Sequence, residues 1–250
     1  MPKQKYIRCL CILCLVFSFF GGTNAQQSHN DQVYHAFISD RMDAWDGVIV
    51  SLNGRKASLS DRQLGELVSY YYGYTAWTLE EDLKKKANRY IDYAEEIIDE
   101  LLAKYPNDPD WYAYKGAFIA YKIGLSPMKA PFLGSESLKN IDRAIEIGPQ
   151  RPQGWIEKGN ALFYMPKAFG GSKEQALEAY KKAIRLMEKD PESLQHNWIY
   201  LNVLTVLGQS YEKTENLQLA QSTYEKILTI EPNFTYVRDE LYPAFMKSLF

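Results

Sequence analysis

The sequence predicts an all-α fold: a solenoid of about four stacked helix pairs, with one helix packed at its N-terminal end and another capping its C-terminal end. Two observations predict it. A glycine in one helical stretch, followed in the next by a small residue, an aromatic or branched residue and a second small or apolar residue at mutual spacings of 4 and 3, and then by a proline, occurs four times along the chain. Apolar residues outside these copies keep helical spacing, and the best strand pattern, Val48-Ile49-Val50, is too short to compete. No stretch after the leader has the composition of a flexible linker, so residues 26–250 read as one domain.

The chain begins with a leader. Lys3, Lys5 and Arg8 precede an apolar run of 12 residues, Cys9 to Phe20; Gly21 and Gly22 break it, and Thr23-Asn24-Ala25 suits a signal peptidase. Residues 1–25 are therefore expected to be a signal peptide cleaved after Ala25, which makes the protein periplasmic or secreted and leaves no stable membrane anchor. The run is short for a bilayer span; retention as an uncleaved anchor is the alternative. Cys11 and Cys14 follow Leu10 and Leu13 inside the run, so a lipid-attachment cysteine is not expected. All three cysteines lie in the leader, and the exported chain must be stable without disulfides. With 29 basic against 31 acidic residues, the balance offers no electrostatic case for nucleic acid or an anionic membrane.

Val33, Phe37, Ile38, Met42, Trp45, Val48 and Ile49 predict an N-terminal helix over Asp31 to Leu52, ended by Asn53-Gly54. Four repeats follow, at about 60–106, 109–151, 152–191 and 192–234. The most regular is the last: Gly208 is followed at 3, 12, 16, 19 and 24 residues by Tyr211, Ala220, Tyr224, Ile227 and Pro232. The first has Gly73, Ala94, Ile98, Leu101 and Pro106; the second Gly116, Ser137, Ile141, Ala144 and Pro149; the third Gly159, Ala176, Tyr180, Ala183 and Pro191. The glycine-to-small-residue distances are 21, 21, 17 and 12, and the extra nine, nine and five residues are assigned to the turn inside each pair. Ser172 is the expected N-cap of the second helix of repeat 3, with Gln175 completing a capping box, and that helix should run about one turn long, since Pro191 comes late. Thr235 to Phe250 reads as the C-terminal capping helix, kinked at Pro243.

These spacings resemble the tetratricopeptide (TPR) repeat. The resemblance implies a bacterial exported repeat protein, not an enzyme, that binds a protein or peptide partner without a cofactor. Family positions on the concave face map here to Tyr70, Tyr74, Trp77, Tyr121, Gln153, Asn160, Phe163, Tyr164 and Gln209, an aromatic and amide-rich set with few charges. Spacings of 4 and 3 among Tyr70, Tyr74 and Trp77 equally suit a buried helix face. Asn160 stands where chaperone-tail-binding members place an asparagine, yet their lysines and arginines are missing, which disfavours an acidic C-terminal tail. A loop, Pro166, Phe169, Gly170 and Gly171, is the second candidate site; Met165 to Ala176 resembles a loop of exported TPR proteins, including T components associated with TRAP transporters. That motivates the alternative function, a small-molecule-binding component associated with a transporter. His29, His35 and His196 lack metal-ligand spacing, so no metal site is expected, and no nucleophile elbow or phosphate loop occurs.

Overall fold

The computed structural model describes residues 28–249. The signal-peptide reading of residues 1–25 lies outside them. Within the described residues the chain is helical: α1 (His29–Ile38), α2 (Met42–Asn53), α3 (Asp61–Glu80), α4 (Lys84–Lys104), α5 (Pro109–Leu125), α6 (Ala130–Ile147), α7 (Pro152–Tyr164), α8 (Lys173–Met187), α9 (Trp198–Lys213), α10 (Leu217–Ile230) and α11 (Tyr242–Ser248). None of them is long and apolar enough to cross a membrane. Helices α3 to α10 form the four predicted pairs, stacked in chain order.

Local chemistry sets the starts. Ser60 caps α3 in a reciprocal capping box with Gln63, and Asp108 accepts from the Asp110 N–H with Pro109 in the first turn of α5. The Ser172 hydroxyl accepts from the Gln175 N–H, as expected of an N-cap, and donates to Glu174. In repeats 3 and 4 the first helix carries glycine because the second presents an aromatic ring there; in repeat 2 Gly116 faces Ile141, and in repeat 1 Gly73 faces Trp45 and Trp198. A Cβ at Gly208 would sit 2.5 Å from Cε1 of Tyr224, and one at Gly159 would sit 2.5 Å from Cε1 of Tyr180.

Four expectations are corrected. The nine extra residues of repeats 1 and 2 are helix, not loop: α3 and α4 have 20 and 21 residues, and α5 and α6 have 17 and 18, against 16 and 14 for α9 and α10. Nine residues add about one turn to each helix of a pair, and these added turns pack together where Gly124 meets Leu79. Only in repeat 3 do extra residues form a loop, 165–172, with a 3-10 turn at Lys167–Phe169. The N-terminal helix is two helices, because Asp40 adopts a φ of 53° and folds the chain back; Val48 to Val50 lie in α2. Helix α8 ends at Met187 without the extra turn, a separate 3-10 turn filling Pro191–Leu194. The C-terminal segment is a π-helical turn, Tyr236–Leu241, followed by α11 with Pro243 in its first turn; the wider coil upstream accommodates the proline.

The solenoid closes on itself. Trp198, at the start of α9, packs edge-on against Trp45 of α2 at 4.9 Å and beside Tyr72 of α3 at 6.4 Å, over Gly73. Trp45 and Trp198 are 1% and 3% exposed; burying each such ring stabilises the closure by roughly 4–6 kcal/mol. Helix α1 bridges to the last repeat: Asn30 donates to the His196 carbonyl, His196 Nδ1 lies 2.6 Å from Asp31, the Tyr34 hydroxyl donates to Glu231, and Thr235 donates to the Ile38 carbonyl. Phe37 adds ring contacts to Trp198 and Phe234.

Candidate functional site

Closure decides which concave-face residues remain accessible. Tyr70 and Tyr74 are 1% and 2% exposed and lie in the core, not on an open face. The Trp45 indole donates to the Tyr70 carbonyl, and Lys86 donates to the Tyr74 hydroxyl. Trp77 packs half-buried against Tyr74, and Gln153 and Phe163 are buried. Tyr121, Asn160 and Gln209 are half-buried, and Tyr164 is 70% exposed.

The interior polar residues serve one another. Gln153 Nε2 donates to Glu157 Oε1 at 2.8 Å, and Asn160 Nδ2 lies 3.1 Å from both Glu157 Oε2 and the Tyr72 hydroxyl. The Tyr180 hydroxyl donates to Asn160 Oδ1, and Tyr121 donates to the Tyr72 carbonyl. This network ties repeat 1 to repeat 3 and occupies the Asn160 amide. Glu157 lies at its centre. Burial pushes its carboxyl up to about 7, against the opposing pull of hydrogen bonds from Tyr72, Asn160 and Gln153. Sequence reasoning missed Glu157; its place four residues after Gln153 and three before Asn160, on one helix face, was the available signal.

A second group of polar and aromatic residues lies at the C-termini of the first helices. Glu80 ends α3, Tyr164 ends α7, and Gln209 and Glu212 lie in the last turns of α9. Tyr236 joins them, its hydroxyl 3.5 Å from Gln209 Nε2. These groups are close enough to sense one another: burial, then Glu80 and Tyr236, raise the Tyr164 hydroxyl, and burial, then Glu80 and Glu240, raise Tyr236. The Glu80 carboxyl is raised by burial with Glu81 adding to it. Solvent nonetheless reaches Tyr164 and Tyr236, which are 70% and 39% exposed. Next to Tyr164 in the chain, Phe163 has Lys173 3.6 Å from its ring centre and donating to its carbonyl; burial, with Lys213 nearby, lowers the Lys173 pKa. Tyr164, Tyr236, Gln209 and Glu80 offer aromatic faces, an amide and a carboxylate, groups that hold a ligand by stacking and hydrogen bonds. Among the described residues no group of three His, Cys, Asp or Glu side chains could hold a metal ion.

The repeat 3 loop has a structural reason for its glycines. Gly170 takes a φ of 100°, and a Cβ on Gly171 would meet the Met165 carbonyl oxygen at 1.8 Å. Gly171 N–H bonds the Pro166 carbonyl and Ser172 N–H bonds that of Leu162, seating the cap of α8. Phe169 is left 75% exposed. Two further exposed apolar side chains, which sequence reasoning passed over, are Met128 on the α5–α6 turn at 86% and Phe132 in the first turn of α6 at 81%.

The family profile for the tetratricopeptide repeat matches residues 201–234. Among solved structures, the HusA haemophore from Porphyromonas gingivalis aligns with 17% identity over 74% of this chain and 92% of its own, at a TM-score of 0.57. The thermophilic TPR protein TTC0263 of Thermus thermophilus aligns with 17% identity over 88% and 95%, at 0.54. At these identities the likeness is one of fold. No curated protein sequence matches the chain. The chain therefore carries a tetratricopeptide repeat at 201–234 and has the fold of a TPR solenoid.

Proposed function

We propose that this TPR-fold chain is an exported, non-enzymatic scaffold of the cell envelope that holds a protein or peptide partner at the C-terminal ends of the first helices of its pairs. The observation that carries this reading is the convergence of Tyr164, Tyr236, Gln209 and Glu80, drawn from repeats 1, 3 and 4 and the C-terminal turn, in a group that solvent reaches. TPR solenoids generally bind protein partners. Export rests on the leader composition, and fractionation with mass measurement of an N-terminus at Gln26 tests it.

Affinity capture from envelope extract tests the site. The wild type should retain a partner that Tyr164→Ala and Gln209→Ala variants lose at least in part, and equal recovery by all three would remove this group from consideration. A small-molecule ligand serving a transporter is the second reading, favoured by the two solvent-exposed tyrosines, Tyr164 and Tyr236. One fold neighbour is a haemophore, so haemin is the first probe; absence of both a Soret shift and thermal stabilisation rejects it.

A further inference from the structure

We infer that the outer edge of repeats 2 and 3 docks on an anionic lipid surface. Two turns there share one chemistry. In Pro127-Met128-Lys129-Ala130-Pro131-Phe132, which runs from a 3-10 turn at Pro127–Lys129 into the first turn of α6, a lysine stands three residues before an exposed phenylalanine; in Pro166-Lys167-Ala168-Phe169, with its 3-10 turn at Lys167–Phe169, it stands two before. Helices α5 and α7 pack together as the first helices of successive pairs, so the turns that follow them fall on the same edge. Phe132, Phe169 and Met128 are 81%, 75% and 86% exposed. Exposure this complete means that no groove surrounds them. A protein partner would need a matching pocket for each, whereas a bilayer interface accepts protruding aromatic and thioether side chains one at a time.

The charge favours the same occupant. Lys129 and Lys167 are exposed beside the two rings, and neither makes an ion pair among the described residues, although Glu174 lies near Lys167. Lysines flanking interfacial aromatics meet anionic headgroups. The formal net charge of −2 for the whole chain averages this edge away, which is why composition pointed to no membrane surface. Docking by this edge would turn the Tyr164 group toward the bilayer, yet the two surfaces are separable, because Tyr164 belongs to that group and not to the turns.

Vesicle flotation of the leader-free protein tests the inference, with phosphatidylglycerol and phosphatidylcholine in about equal parts and with phosphatidylcholine alone. Wild type should bind the mixed vesicles and be released by salt. The double variant Phe132→Ser/Phe169→Ser should lose roughly tenfold or more in partition, and Lys129→Gln/Lys167→Gln should lose the preference for the anionic lipid. Tyr164→Ala should bind as wild type. Unchanged circular dichroism for each variant is expected of such exposed sites. No wild-type binding, or equal binding by the phenylalanine double variant, overturns the inference, as does capture of a protein partner from membrane-free extract that depends on Phe132 and Phe169.

Discussion

Replacing Glu157 by glutamine tests how the interior is held together. The carboxyl is 3% exposed and its hydrogen-bond partners are two amides and a phenol, none of them cationic. Burial raises it from the ordinary 4.5 to about 7, so between those values the folded chain holds a proton that the unfolded chain has released. Stability from this group is fully present below about pH 4.5 and is lost as pH rises through 7. A difference of about 2.5 pH units corresponds to about 3 kcal/mol. Glutamine cannot titrate, though its amide must face one of the donors now pointing at the carboxylate, a constant cost of about 1 kcal/mol. Urea unfolding of both proteins at pH 5, 6, 7 and 8 should show Glu157→Gln gaining on wild type by about 3 kcal/mol across the range, most of it between pH 5 and 7. A pH-independent difference would refute the reasoning, and a trend of opposite sign would mean that the three donors outweigh burial.

Three further outcomes follow from the packing. Trp198→Ala should destabilise by about 3–5 kcal/mol and, by releasing α2 and α3 from α9, split a single calorimetric transition into two, as open repeat arrays allow. Gly208→Ala places a Cβ against the Tyr224 ring and should destabilise by about 1–3 kcal/mol despite the helix propensity gained, as thermal melts would show. The Tyr70 hydroxyl and Thr75 Oγ1 are buried without a hydrogen-bond partner, so Tyr70→Phe and Thr75→Val should leave stability unchanged or raise it by about 1 kcal/mol in denaturant titrations.

The repeat was legible because its spacing is a local packing requirement: a ring in the second helix needs a glycine opposite it, and Gly208 with Tyr224 declares that pairing in the sequence. The distance between such positions counts residues and not their conformation. Nine extra residues therefore read as a turn, although Tyr121 to Leu125 simply continue α5. The break at Asp40 depended on one residue in a left-handed conformation, open to aspartate but not demanded by it. Closure was illegible for a different reason. Trp198 meets Tyr72 and Trp45 from far along the chain, and no periodicity encodes that meeting. Since closure determines which concave positions solvent reaches, Tyr70 and Tyr164, both candidates by repeat position, ended in the core and at the surface.

The claim on which the functional account turns is that the partner is held at the group around Tyr164 and Tyr236. Photo-crosslinking measures it most directly, with benzoylphenylalanine at position 164 or 236, and at position 105, which is 46% exposed on the α4–α5 connection at the opposite edge. In living cells the account predicts one crosslinked partner from 164 and 236 and none from 105. Crosslinking of that partner from 105 alone, or equally from all three positions, would contradict it.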